Sequence, residues 1–78
     1  MISLLRTLDL SFNRIRKIEN LDRLLNLKKL FLPANKIAKI ENLDQLVNLE
    51  LLELGDNKIR VFLHLLFART VSSNWFQL

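Results

Sequence analysis

Few residues in this chain have the types and spacing that chemistry needs. The one histidine, His64, lies in an apolar stretch near the C-terminal end, and there is no cysteine. Gly55 is the only glycine, so no glycine-rich loop can cradle a phosphate. Neither a Ser–His–Asp nor a Cys–His set can be assembled, and the spacing of metal ligands is missing. The expectation is a protein that is not an enzyme, with no catalytic residue, cofactor, metal or small-molecule substrate. What remains is a set of side chains suited to contact. Asp9, Phe31 and Glu53 follow one another at 22-residue intervals. Thr7, Lys29 and Leu51 keep the same interval two positions earlier, and Ser11, Pro33 and Gly55 two positions later. Phe31 is the sharp feature, because aromatics are enriched where interfaces concentrate their binding energy. Scattered surface apolar residues are common, but the place of Phe31 between two acids favours contact.

These columns need elements to hold them, and the chain supplies a repeat. Leu5–Ile18 reads LRTLDLSFNRIRKI, Leu27–Ile40 reads LKKLFLPANKIAKI, and Leu49–Phe62 reads LELLELGDNKIRVF. Leucine holds the first, fourth and sixth positions of each, asparagine the ninth and isoleucine the eleventh. Self-similarity at this period and pattern is the signature of leucine-rich repeats. The expected fold class is α/β: a leucine-rich-repeat solenoid of about two and a half 22-residue repeats. Leucines two apart, such as Leu8 and Leu10, point to one face of a short strand. Successive strands are expected to pair in parallel on a concave side. Asn13, Asn35 and Asn57 come just after the strands and are expected to form a ladder, each amide serving backbone groups of the turns. Leu21 and Leu24, then Leu43 and Leu46, are three apart, which predicts a single turn of α- or 3₁₀-helix on the convex side. The residues alternating with the core leucines then face outward. Thr7, Asp9, Lys29, Phe31, Leu51 and Glu53 form the predicted concave binding face.

The organisation follows from the repeat. Residues 1–4 read as a remnant of a preceding repeat, residues 5–26 and 27–48 as complete repeats, and residues 49–60 as a partial one. Beyond Arg60 the pattern breaks, and Glu41, Asn42, Asp44 and Gln45 find Leu63, His64, Leu66 and Phe67 in their places. Residues 61–78 are read either as a divergent apolar tail or makeshift cap, or as the product of a change of coding exon or frame.

Charge and hydropathy narrow the partners. Twelve Lys and Arg against eight Asp and Glu give a formal net charge of +4. Arg14, Lys36 and Lys58 follow the asparagines, with Arg16 and Arg60 two positions beyond. This basic edge reads first as a solvated flank and second as a contact for RNA or an acidic partner, so nucleic acid is not the expected partner. The first six residues lack the basic segment and apolar run of a secretory signal. The longest apolar run, around Val61–Phe67, is interrupted by His64 and falls far short of the ~20 residues that span a bilayer. No membrane association is expected, and the absence of cysteine suits the cytosol or nucleus.

Finer likeness comes from three stretches. LDLSFNRIRKIENL, LKKLFLPANKIAKIENL and LELLELGDNKIR closely resemble successive repeats of the leucine-rich-repeat regulators of protein phosphatase 1, of the regulatory subunit 7 type. The resemblance covers Leu5 to about Arg60, and it is specific, since the generic repeat does not call for Asp9, Phe31 and Glu53. It implies a curved solenoid found mainly in the nucleus, with the cytoplasm as second location, that clasps the phosphatase catalytic subunit with its concave face. It also implies that Asp9, Phe31 and Glu53 match an aspartate, a phenylalanine and a glutamate taken as phosphatase contacts. The further repeats of that family are missing here, so the chain reads as a fragment or short product. Repeat stacks usually need at least three repeats for stability. The alternative expectation is therefore a truncated product with no autonomous function.

Overall fold

Leucine at every second position makes three short strands whose central residue points inward. A computed structural model describes residues 4–62 and 76–77 of the chain. In it, β1 (Thr7–Asp9), β2 (Lys29–Phe31) and β4 (Leu51–Glu53) centre on Leu8, Leu30 and Leu52. They pair in parallel with Thr7 against Lys29 and Lys29 against Leu51, so the register advances one repeat per strand. A fourth strand, β6 (Phe76–Gln77), pairs in parallel with β4 through Leu52 and Phe76. That step is 24 residues rather than 22, so the tail joins the sheet outside the repeat register.

A second, two-stranded sheet forms lower on each repeat. There β3 (Lys39–Ile40) pairs in parallel with β5 (Val61–Phe62). This ladder was not expected from the sequence, where Ile40 counted only as core. The readings of residues 1–3 as a repeat remnant and of residues 63–75, with His64, as a cap lie outside the described residues.

Three asparagines close the turns between the two sheets. The Asn35 amide donates to the carbonyls of Leu10 and Leu32, both at 3.0 Å, and of Pro33 at 3.2 Å. Its oxygen accepts the Ile15 N–H at 3.0 Å. Asn57 repeats the arrangement one rung on, donating to Leu32 and Leu54 and accepting from Ile37. Among the described residues, Asn13 donates to Leu10 and Ser11 of its own repeat and to no other. The backbone beside each asparagine takes a left-handed step, at Phe12 (φ 58°), Ala34 (φ 58°) and Asp56 (φ 55°). Such a step costs a residue with a Cβ roughly 1–2 kcal/mol, and the asparagine bonds hold it. A second left-handed step falls at Asn20 (φ 64°) and Asn42 (φ 61°), a residue type that tolerates it. Asn42 there donates to the Ile18 carbonyl one repeat earlier, at 2.7 Å.

The convex side corrects the sequence expectation in part. Leu21–Leu24 and Leu43–Leu46 form no α-helical turn and no continuous 3₁₀-helix, though their bonds are of the 3₁₀ i→i+3 type. Leu24 N–H donates to Leu21 and Leu27 N–H to Leu24, each at 3.0 Å, as two linked tight turns. Leu43, Leu46 and Leu49 do the same at 3.1 Å. Apolar residues at strict three-residue spacing would drift about 60° per step around an α-helix of 3.6 residues per turn. Linked turns keep Leu24, Leu27, Leu43, Leu46 and Leu49 all buried. No α-helix occurs among the described residues, and the helical half of the α/β expectation gives way to strands and turns.

The core is one apolar cluster running the height of the repeats. In the middle repeat Leu27, Leu30, Ile37, Ile40 and Leu46 are wholly inaccessible. In the first repeat Ile18 and Leu24 are buried too, but the residues nearer β1 are more open, because β1 is the edge of its sheet. Leu5 is 39% exposed, and Leu8, Leu10, Ile15 and Leu21 are half-buried. An opening of about 440 Å³ there is lined by Leu10, Ile15 and Leu21.

Two stability measurements by urea unfolding follow. Asn35→Ala orphans the Ile15 N–H and takes one of two donors from the carbonyls of Leu10, Leu32 and Pro33, and is expected to cost about 2 kcal/mol against about 1 kcal/mol for Asn13→Ala. Equal losses would show that the bonds between repeats contribute nothing. Ala34→Gly is expected to gain up to about 1 kcal/mol by relieving the left-handed step, while Ala38→Gly, where φ is not positive, loses a similar amount.

Candidate binding face

The outward face of the four-stranded sheet is built by the same alternation that buries its leucines. In the column nearest the strand starts stand Thr7, Lys29 and Leu51, directly paired across the sheet. In the next stand Asp9, Phe31 and Glu53, likewise paired. Parallel neighbours lie ~4.8 Å apart, so all six predicted face residues meet in one patch. Thr7, Asp9 and Lys29 are exposed, and Phe31, Leu51 and Glu53 are half-buried.

The two carboxylates also have work within the chain. Asp9 Oδ1 accepts the Ser11 backbone N–H at 2.9 Å and the Ser11 hydroxyl. Glu53 Oε1 accepts the Gly55 N–H at 2.8 Å. Each acid thus satisfies the N–H two residues on, where the strand leaves the sheet. In the middle repeat Phe31 has no acceptor to offer, and two residues on stands Pro33, which has no N–H to satisfy. The absence of donor and acceptor is matched. The Pro33 carbonyl still serves the stack, accepting the Phe12 N–H at 3.0 Å. Sequence reasoning found the column but missed Ser11, Gly55 and Pro33 as its partners. The signal was present, as an acceptor followed two positions later by a donor in two repeats and by neither in the third.

The hydroxyl of Ser11, then its backbone N–H, hold the Asp9 carboxyl below its ordinary value of 3.8. In chemical terms the face offers an aromatic ring between two carboxylates, each with one oxygen free of hydrogen bonds among the described residues. It offers no metal centre, since no group of three or more His, Asp or Glu is close enough to hold an ion among the described residues. Nor is any helix of the described residues long and apolar enough to cross a membrane.

Parallel strands stepped by one sequence repeat, with leucines inward and an asparagine at each turn, define a leucine-rich-repeat protein. The family model described as Leucine Rich repeats (2 copies) matches residues 3–45, more than half of the chain. The chain belongs to the leucine-rich-repeat family. No curated protein matches it.

Titration gives a direct test of the Asp9 contact. Because the folded value is depressed, the stabilisation is fully present above pH 3.8 and is lost as pH falls through the lower folded value. An NMR titration is expected to place the Asp9 carboxyl midpoint below 3.8. Ser11→Ala, which removes the hydroxyl and keeps the N–H, moves it partway back.

Proposed function

We propose that this chain is a non-enzymatic protein-interaction module, a leucine-rich-repeat solenoid that binds a partner through the face centred on Phe31. Leucine-rich repeats generally mediate contacts between proteins, and the outward columns are the part of each repeat free of stacking duties. One observation carries the reading. The middle strand has exchanged an acid and a hydrogen-bonded N–H for Phe31 and Pro33, and this sets a half-buried ring between two carboxylates. A ring so placed offers a rigid apolar contact with polar neighbours, the make-up of an interface hot spot.

The partner proposed is the catalytic subunit of protein phosphatase 1. Support comes from the likeness of Leu5 to Arg60 to the regulatory subunit 7 type of repeat, with Asp9, Phe31 and Glu53 at the matching strand positions. A mainly nuclear location belongs to the same proposal.

Capture of the purified catalytic subunit by the immobilised chain tests both levels. Phe31→Ala is expected to reduce capture at least tenfold, the loss of about 1.4 kcal/mol or more that marks a hot spot. The Asp9→Ala, Phe31→Ala, Glu53→Ala triple variant is expected to abolish it, with circular dichroism confirming that each variant keeps its fold. Undiminished capture by the triple variant would remove this face from the interaction. Failure of the unaltered, cooperatively folded chain to capture the subunit would remove the phosphatase as partner.

A further inference from the structure

A second surface lies on the flank, where the chain leaves the asparagine turns. There the residues alternate in and out. Asn35 and Ile37 are buried, Ile15, Asn57 and Ile59 half-buried, and Asn13 bonds back to its own turn. The outward residues fall into three rungs: Phe12, Arg14 and Arg16; Ala34, Lys36 and Ala38; Asp56, Lys58 and Arg60. Backbone bonds fix the rungs side by side. Phe12 N–H donates to Pro33 at 3.0 Å, Lys36 to Ile15 at 2.8 Å, Lys58 to Ile37 at 2.9 Å and Arg60 to Ala38 at 2.8 Å.

This grid holds five cations and one acid, a local excess of four. The whole chain has a formal net charge of +4, so the rest of it is balanced and the entire excess sits on this flank. All five cations are exposed, and none is ion-paired among the described residues. The single ion pair found there, Lys28 with Glu50 at 3.9 Å, lies elsewhere. Rungs ~4.8 Å apart bring these charges well within the ~8 Å over which physiological salt screens them. Such a strip attracts a polyanion. Phe12 favours one kind. It heads the rung of Arg14 and Arg16, it is 84% exposed, and it holds a left-handed φ of 58° that is an outlier for a bulky side chain. The ring is largely open to water on the same rung as Arg14 and Arg16. An aromatic face next to a basic track is how single-stranded nucleic acid is held, bases stacking while phosphates pair. A carboxylate-rich peptide would use the cations and leave the ring idle.

We propose that the flank formed by Phe12, Arg14, Arg16, Lys36, Lys58 and Arg60 binds single-stranded nucleic acid, its phosphates on the cations and a base on Phe12. The site is separate from the Phe31 face, and either can fail without the other.

The test is fluorescence anisotropy of a labelled 15-nucleotide oligouridylate with the full chain, from 25 to 200 mM KCl. Binding is expected at low salt, with a log–log salt slope of roughly −3, since single strands contribute about −0.7 per phosphate neutralised. Phe12→Ala, at an exposed position, is expected to weaken binding about tenfold and leave the slope unchanged. Lys36→Glu with Lys58→Glu is expected to weaken binding and flatten the slope by at least 1. Lys28→Glu, outside the grid, is expected to change neither. Absence of binding at 25 mM KCl overturns the proposal. So does an affinity that Phe12→Ala leaves intact, or a polyglutamate of equal length that binds as tightly, which would mark an acidic protein as the ligand.

Discussion

Everything in this structure depends on one amide. Asn35 joins carbonyls of two successive repeats and receives an N–H from the earlier of them. Buried polar groups that miss their partners are costly, and here a single side chain accepts the Ile15 N–H and adds a donor to three carbonyls where the chain turns out of the strand. The bonds reach back one repeat, so they hold neighbouring rungs in the same register as the strands. They also hold the left-handed backbone steps at Phe12 and Ala34, which neither residue type favours. Leucines supply the driving force, but leucines alone would tolerate a slip. The asparagine fixes where each turn lies over the last.

Fixed register turns sequence spacing into spatial columns, and function lives in the outward ones. Two surfaces result, one on the sheet around Phe31 and one on the flank around Lys36. Their chemistry differs because their obligations differ. The outward positions at the strand ends lie two residues before an N–H that has left the ladder, so an acid there is drawn into local bonding, as Asp9 and Glu53 are. Flank positions have no such duty, and their side chains are free to concentrate charge.

Much of this was legible in the sequence. Period and leucine placement foretold the parallel strands, the register and the buried rows, because each rests on alternation, which has no competing reading. The asparagine ladder was legible for the same reason. At Leu21–Leu24 the α alternative fails while the i→i+3 bonding of the 3₁₀ alternative is present, because a spacing of three fits a turn of either helix and a pair of tight turns. Only the further leucines at 27 and 49, kept at the same spacing, distinguish them. Pairing of Lys39–Ile40 with Val61–Phe62 left no signal, since a two-residue ladder carries no alternation to detect. Asn20 and Asn42 recur visibly, but their left-handed backbone was hidden by the helical reading. The column of Asp9, Phe31 and Glu53 was found, while the local bonds of its acids were not. Such a bond spans two residues and has no period of its own.

The exposure of the first repeat beside the burial of the second sets an order of events. Each rung touches only its neighbours, as in any linear array, and the middle rung alone has a fully described repeat on one side and a third strand on the other. Fraying therefore starts at β1, where Leu5 is already 39% open to water, and works inward. The last amide to exchange with solvent is expected to be that of Leu30. Phe31 sits next to it, so the ring that the proposed partner would grasp is mounted on the slowest-opening part of the chain.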